Sequence, residues 1–229
     1  MRRRLVQPLL AACAACAACV ACAACKVRDP APVTATWTES FDRAGRPGED
    51  YYVTGAGYAL VAGHLSAHGA HNHPMWLRKK LPHDVRIELD CWSTENRGDI
   101  KIELFGDGKS FDPDGGAYLA TGYEIVFGGW YNQKSIIARL DEHGQDMAAR
   151  TDRKVVANQH YHWKIERRGA KISWWISSPG AEGPGAPGDD QVFLAYDDPH
   201  PLENQNHEYL GFNNWETDTW FDNVVISPL

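Results

Sequence analysis

The feature that most narrows the fold of this 229-residue chain is a period of two in its apolar residues, repeated from about its middle to its end. Val85, Ile87, Leu89 and Cys91 alternate with Arg86, Glu88, Asp90 and Trp92. Successive side chains of an extended chain point to opposite faces, so the run is a strand with one apolar face. After a turn over residues 95–98, Ile100, Ile102 and Leu104 alternate with Lys101, Glu103 and Phe105, and the two runs together read as a hairpin. Residues 122–127, 134–140, 160–167, 171–176, 191–196, 208–213 and 219–226 repeat the pattern, and no comparable helical period is visible. Arg167-Arg168-Gly169-Ala170 reads as a tight turn between strands whose inward sets are Tyr161, Trp163, Ile165 and Ile172, Trp174, Ile176. Residues 178–190 hold four glycines and three prolines and read as a surface loop. Many short strands without helices predict an all-β fold, a two-sheet antiparallel β-sandwich of jelly-roll type over residues 34–229.

The N-terminus is of another kind. Arg2, Arg3 and Arg4 precede a run to Cys25 that contains no charged side chain, the layout of an export signal. The run is rich in Ala and Cys and broken by Gln7 and Pro8, which makes it a poor permanent membrane span. Cys13, Cys16, Cys19, Cys22 and Cys25 recur every third residue inside it, a low-complexity pattern rather than a disulfide framework. The segment resembles the bacterial lipoprotein signal, in which a cysteine after small residues is lipidated and becomes the new N-terminus. Cys13 follows the better box, Leu10-Ala11-Ala12, and Cys25 leaves the better length; Cys25 is preferred. The expected organisation is a signal over residues 1–25, a linker over 26–33 and the sandwich beyond, held at the cell envelope outside the cytoplasm by a lipid anchor.

With Cys91 as the one cysteine outside that segment, stability rests on a core to which nine Trp, nine Tyr and seven Phe contribute. The formal net charge of −7 becomes more negative once the three arginines are removed, so nucleic acid and anionic lipid are poor partners.

Four groups of residues are candidates for chemistry. Glu88 and Asp90 share one strand face, and Glu103 lies across the expected hairpin; paired carboxylates are what glycoside hydrolysis needs. The alternation equally fits a solvated face on which Arg86, Glu88, Lys101 and Glu103 pair, and that reading is favoured. Phe127-Gly128-Gly129-Trp130-Tyr131-Asn132, with Arg139, Asp141, Glu142 and His143 after the next strand, joins adjacent aromatics to polar forks. Trp130 and Tyr131 can stack on the C–H faces of a sugar while Asn132, Arg139, Asp141 and His143 bind hydroxyls. His64, His68, His71 and His73 lack a nearby thiol and a fixed ligand spacing, so they read as ordinary loop residues rather than a zinc site. Asp107, Asp112 and Asp114 crowd one loop, an oxygen-rich arrangement of the kind that calcium favours.

The closing run Tyr209-Leu210-Gly211-Phe212, then Trp220-Phe221-Asp222-Asn223-Val224-Val225-Ile226, together with Phe41-Asp42 and Gly122-Tyr123-Glu124-Ile125, resembles the concanavalin A-like lectin/glucanase superfamily. The resemblance implies a sandwich that binds or processes sugar. It also implies a structural Ca²⁺ between first and last strands, through residues 39–42 and Asp222; no other cofactor is expected. The superfamily's glucanases carry Glu-x-Asp-x-Glu, and here Glu95 lies too far beyond Asp90 to complete it. The expectation is therefore an exported lipoprotein that binds carbohydrate without turning it over. Its rivals are a glycoside hydrolase or lyase using Glu88, Asp90, Glu103 and His143, and a structural envelope protein without a small ligand.

Overall fold

The computed structural model describes residues 30–112, 120–178 and 191–229. Cys25 and the other four cysteines of the N-terminal Ala/Cys run lie outside these residues, as do nearly all of the Pro/Gly-rich loop and Asp114.

The first half of the chain supplies β1 (Trp37–Glu39), β2 (Tyr51–Val53), β3 (Ala59–Val61), β4 (His64–Ser66), β5 (Met75–Leu77), β6 (Val85–Ser93) and β7 (Ile100–Gly106). The second supplies β8 (Tyr123–Gly128), β9 (Lys134–Arg139), β10 (Asp146–Arg150), β11 (Tyr161–Arg168), β12 (Lys171–Ser177), β13 (Leu194–Asp197), β14 (Tyr209–Asn214) and β15 (Thr219–Pro228). One antiparallel sheet runs β13-β12-β11-β6-β15-β4-β3, with β1 also on β15, and will be called the first sheet. The second sheet runs β10-β9-β8-β7-β14-β5-β2 and is also antiparallel. The two face each other as a β-sandwich, as the period-two pattern predicts.

The inward sets form the core. Ile87 and Leu89 of β6, Trp163 and Ile165 of β11, and Ile172, Trp174 and Ile176 of β12 are buried from the first sheet. Ile100, Ile102 and Leu104 of β7 and Tyr123, Ile125 and Phe127 of β8 meet them from the second. Trp163 and Trp174 pack edge to face at 4.7 Å, and Phe127 stands against both. Arg168 and Lys171 close the β11–β12 hairpin around Gly169, at the turn the sequence marks. Pro32 bridges to Lys80 and Val33 is buried, so the chain just ahead of residue 34 already packs on the sandwich.

The hairpin expected between β6 and β7 does not form. β6 pairs with β11 and β15, whereas β7 pairs with β8 and β14 in the opposite sheet. Residues 94–99 turn a corner between sheets, with Gly98 and Asp99 both left-handed (φ 81° and 66°). Alternation identifies the inward residues but not the layer to which they belong, and a hairpin and an arch share it. Arg86 accordingly pairs with Glu166 at 2.8 Å rather than across to Glu103. Lys101 and Glu103, expected on a solvated face, are 1% and 0% exposed.

Candidate functional site

The outer face of the second sheet is roofed rather than open. Val126, Ile136 and Ala138 form a small apolar patch there, against which Trp130 packs. Beside it run Lys101, Glu103, Glu124 and Asn213, all buried. Lys101 Nζ donates to Glu142 Oε2 at 2.7 Å and to Asn72 Oδ1 at 2.9 Å, and lies 3.8 Å from Asp99 Oδ1. Burial alone would lower the lysine pKa, but the charges of Asp99 and Glu142 outweigh it and raise the value. Burial raises the pKa of Asp99, against the pull of Lys101. It also holds Glu124 well above the usual carboxylate range, with Lys101 opposing and Glu103 adding to the shift.

At the end of this face the β6–β7 corner, the β8–β9 turn, the segment after β9 and the β14–β15 turn converge on a cavity of about 200 Å³. Its walls are Trp130, Tyr131 and Trp215 with Asp99, Glu142, His143, Arg97 and Glu216. The turn Gly129–Asn132 is wound left-handed at Trp130 (φ 53°, ψ 57°) and Tyr131 (φ 58°, ψ 46°), and Asn132 follows with φ 63°. Left-handed backbone costs about 1–2 kcal/mol per non-glycine residue, so something must hold it. Asn132 does so. Its amide nitrogen donates to the carbonyls of Asn96 (2.8 Å) and Val155 (2.7 Å), and its oxygen accepts from the Val155 N–H (2.8 Å). The corner is locked to the same turn, because Asp99 N–H donates to Gly128 O and a Cβ at Gly98 would overlap that oxygen.

The aromatic rings are backed from one side. Lys134 Nζ sits 3.9 Å from the Trp130 ring centre and is itself paired with Asp146 at 2.8 Å. His71 lies 3.8 Å from the Trp215 ring. His143 meets Trp130 edge-on at 5.7 Å, and Tyr131 is 72% exposed. Of the six residues proposed for sugar binding, Trp130, Tyr131 and His143 therefore share one cavity. Asn132 anchors the turn from behind. Arg139 is at the far end of β9, bonded to Asp198 and the carbonyl of His200. Asp141 accepts the His143 N–H and shapes the segment without lining the cavity.

The three carboxylates named for catalysis are divided between sheets. Glu103 Oε1 accepts from the Thr121 N–H and hydroxyl. Glu88 and Asp90 stand on the outer face of the first sheet, where Asp90 bonds to His162 at 2.8 Å and to Asn223 at 2.8 Å. Asp222 is directly opposite Asp90 and bonded to His64 at 2.9 Å, so the row reads His64–Asp222–Asp90–His162 across four strands. Burial would raise the Asp90 pKa, yet the His162 and Asn223 hydrogen bonds bring it below the usual range. The residues implied for calcium are otherwise engaged: both Glu39 oxygens hold Arg43, at 2.7 and 2.9 Å, and Asp222 holds His64. Asp107 caps its own loop through Lys109 and Ser110. No group of three or more His, Cys, Asp or Glu among the described residues converges as a metal site.

Trp215 and Asp99 were not singled out from sequence, whereas Glu142 was read with the Trp130 loop and Glu124 only as part of the motif that carries the resemblance. Trp215 had a readable signal, a large aromatic at the apex between two strands. Asp99 had none, because it is polar in a place where polarity reads as solvent exposure.

The fold is that of a two-sheet antiparallel β-sandwich, and solved structures of lectin and glucanase type share it. A lichenase from a mouse hindgut metagenome matches with a TM-score of 0.53 at 12% identity, over 85% of this chain and 100% of its own. The exoplasmic/lumenal domain of VIP36 in its metal-free form gives 0.53 at 8% identity, over 85% and 91%. Carbohydrate binding module CBM66 of Bacillus subtilis gives 0.50 at 14% identity, over 78% and 95%. By sequence the chain belongs to the family described as "Farnesoic acid 0-methyl transferase", whose model matches residues 110–224. A search of curated proteins returns no match. No helix among the described residues is long and apolar enough to cross a membrane.

Proposed function

We propose that this protein is a carbohydrate-binding module that takes a sugar ring into the cavity between Trp130, Tyr131 and Trp215. The observation that carries this reading is the left-handed turn at Trp130 and Tyr131, clamped by Asn132 beside a ring of polar groups. Strained backbone persists where its surroundings enforce it, and it concentrates at ligand sites. Flat aromatic faces beside carboxylates suit a molecule with apolar C–H faces and a rim of hydroxyls. The carbohydrate binding module and the glucanase among the structural neighbours support the same class of ligand. The uncharged Ala/Cys run after three arginines supports delivery to the cell envelope, with Cys25 as the lipidated residue.

The methyl transfer named in the family's description does not fit this site. A methyl donor built on a nucleoside and an amino acid is of drug-like size and needs a pocket of roughly 300–1,000 Å³, larger than the 200 Å³ found here. No transfer step is assigned.

A second reading, glycoside hydrolysis, is favoured by one observation. Glu103 and Glu124 are directly opposite on adjacent strands, and burial raises the Glu124 pKa, the direction a general acid needs. Both are sealed from solvent, which favours binding over turnover. A glycan array with the intact chain, followed by titration of hits against the Tyr131→Ala variant, tests the leading reading. Tyr131 is exposed, so its truncation leaves stability within about 0.5 kcal/mol and weakens binding by about tenfold. Unchanged affinity in the variant overturns the assignment of this cavity. Turnover of a bound glycan that Glu124→Gln abolishes replaces binding by hydrolysis.

A further inference from the structure

The charges around the cavity say more than that a sugar fits. Two of its three carboxylates are matched: Glu142 by Lys101 at 2.7 Å, and Glu216 by Arg97 at 2.8 Å. Asp99 is left over. Its Oδ1 is 3.8 Å from Lys101, has no hydrogen-bond donor, and stands on a backbone fixed by the Gly128 contact. The aromatic walls act in the same direction, because the face of an aromatic ring is the negative end of its quadrupole and attracts a cation. The cations that back those rings do not reverse this, since Lys134 is neutralised by Asp146 and Arg97 by Glu216. The whole chain, at net −7, repels an approaching anion as well.

We infer that the cavity selects a sugar bearing a free amine, a cationic amino sugar, over its N-acetylated counterpart and over a uronic acid. Asp99, which shares its lysine, supplies the carboxylate in excess of the two cations, and Trp130, Tyr131 and Trp215 supply π-faces around the ammonium. This rests on the carbohydrate-binding reading above and names the ligand class of the same site.

The experiment is calorimetric titration of the intact chain with three probes of equal length: a glucosamine trimer, an N-acetylglucosamine trimer and a galacturonate trimer. The expected order is amine tightest, by about tenfold over the acetylated form, with the uronate weakest and the amine advantage shrinking as salt is raised. Asp99→Asn keeps a side chain that accepts the left-handed φ of this position and should remove most of the amine preference. Asp197→Asn, which deletes the same charge at an exposed position on β13, controls for general attraction and should leave the preference intact. Equal binding of amine and acetylated trimers, tighter binding of the uronate, or equal effects of the two Asn variants overturns the inference while leaving carbohydrate binding standing. No binding of any trimer, together with an empty glycan array, overturns the parent reading and this one with it.

Discussion

Glu103 and Glu124 stand directly opposite one another on β7 and β8, both closed to solvent, with Lys101 the nearest cation on the same face. Burial raises the Glu124 pKa, Lys101 opposes the rise, and the neighbouring Glu103 adds to it. A carboxyl group whose folded pKa lies above its unfolded value binds the extra proton in the native state. Its contribution therefore falls as pH rises from the unfolded value near 4.5 toward the folded one. Urea denaturation between about pH 5 and pH 8 should show stability declining through this group, and Glu124→Gln should flatten the decline. A variant with an unchanged pH profile would show that Glu124 is ionised in the fold.

His162 has the opposite sign. The hydrogen bond that its ring donates to Asp90 raises its pKa, burial opposes, and the charges of Asp90 and Glu88 add to the rise. This stabilisation is complete below the unfolded histidine value and is lost as pH rises through the folded one. Proton NMR of the imidazole should give a midpoint above about 6.5, and Asp90→Asn should bring it down. With the ring 37% exposed, the gain is that of a screened surface pair.

Asn132 should matter to stability more than a loop residue usually does. Asn132→Ala removes three hydrogen bonds to backbone and leaves those groups without partners, at about 2–4 kcal/mol in chemical denaturation. It also releases the left-handed turn, so ligand binding falls with stability. Asn132→Asp keeps one acceptor for the Val155 N–H and should lie between.

Trp130 has a mixed role, packed on Val126, Ile136 and Ala138 on one side and open to the cavity on the other. Trp130→Ala should cost about 1–3 kcal/mol of stability, below the figure of about 3–5 kcal/mol for a core tryptophan. Affinity for the ligand should drop at the same time. Trp174→Ala, at a wholly buried position, gives the core value for comparison in the same denaturation series.

The lipid anchor has its own test. Growth with a palmitate analogue should label the protein, and Cys25→Ala should abolish the labelling. Labelling that persists after Cys25→Ala but disappears in Cys13→Ala moves the anchor to the earlier cysteine. Labelling that survives loss of all five signal cysteines rules the anchor out.

What the sequence determined by itself is the layer chemistry of the sandwich. Trp163, Ile165, Ile172 and Trp174 are inward because period-two alternation is a local property of extended chain, and the Arg167–Ala170 turn is equally local. The aromatic pair at 130 and 131 was legible for the same reason, as two large side chains in a glycine-flanked turn. Tertiary structure alone decided which sheet each strand joins, and through that every pairing of charge. Alternation could not tell the arch at residues 94–99 from a hairpin, so Glu103 was read with Glu88 instead of Glu124, and Lys101 as solvated instead of bonded to Glu142. A buried carboxylate and a solvated one have the same letter. The difference between them is set by what residues distant in the chain place over that face, and no window along the sequence contains it.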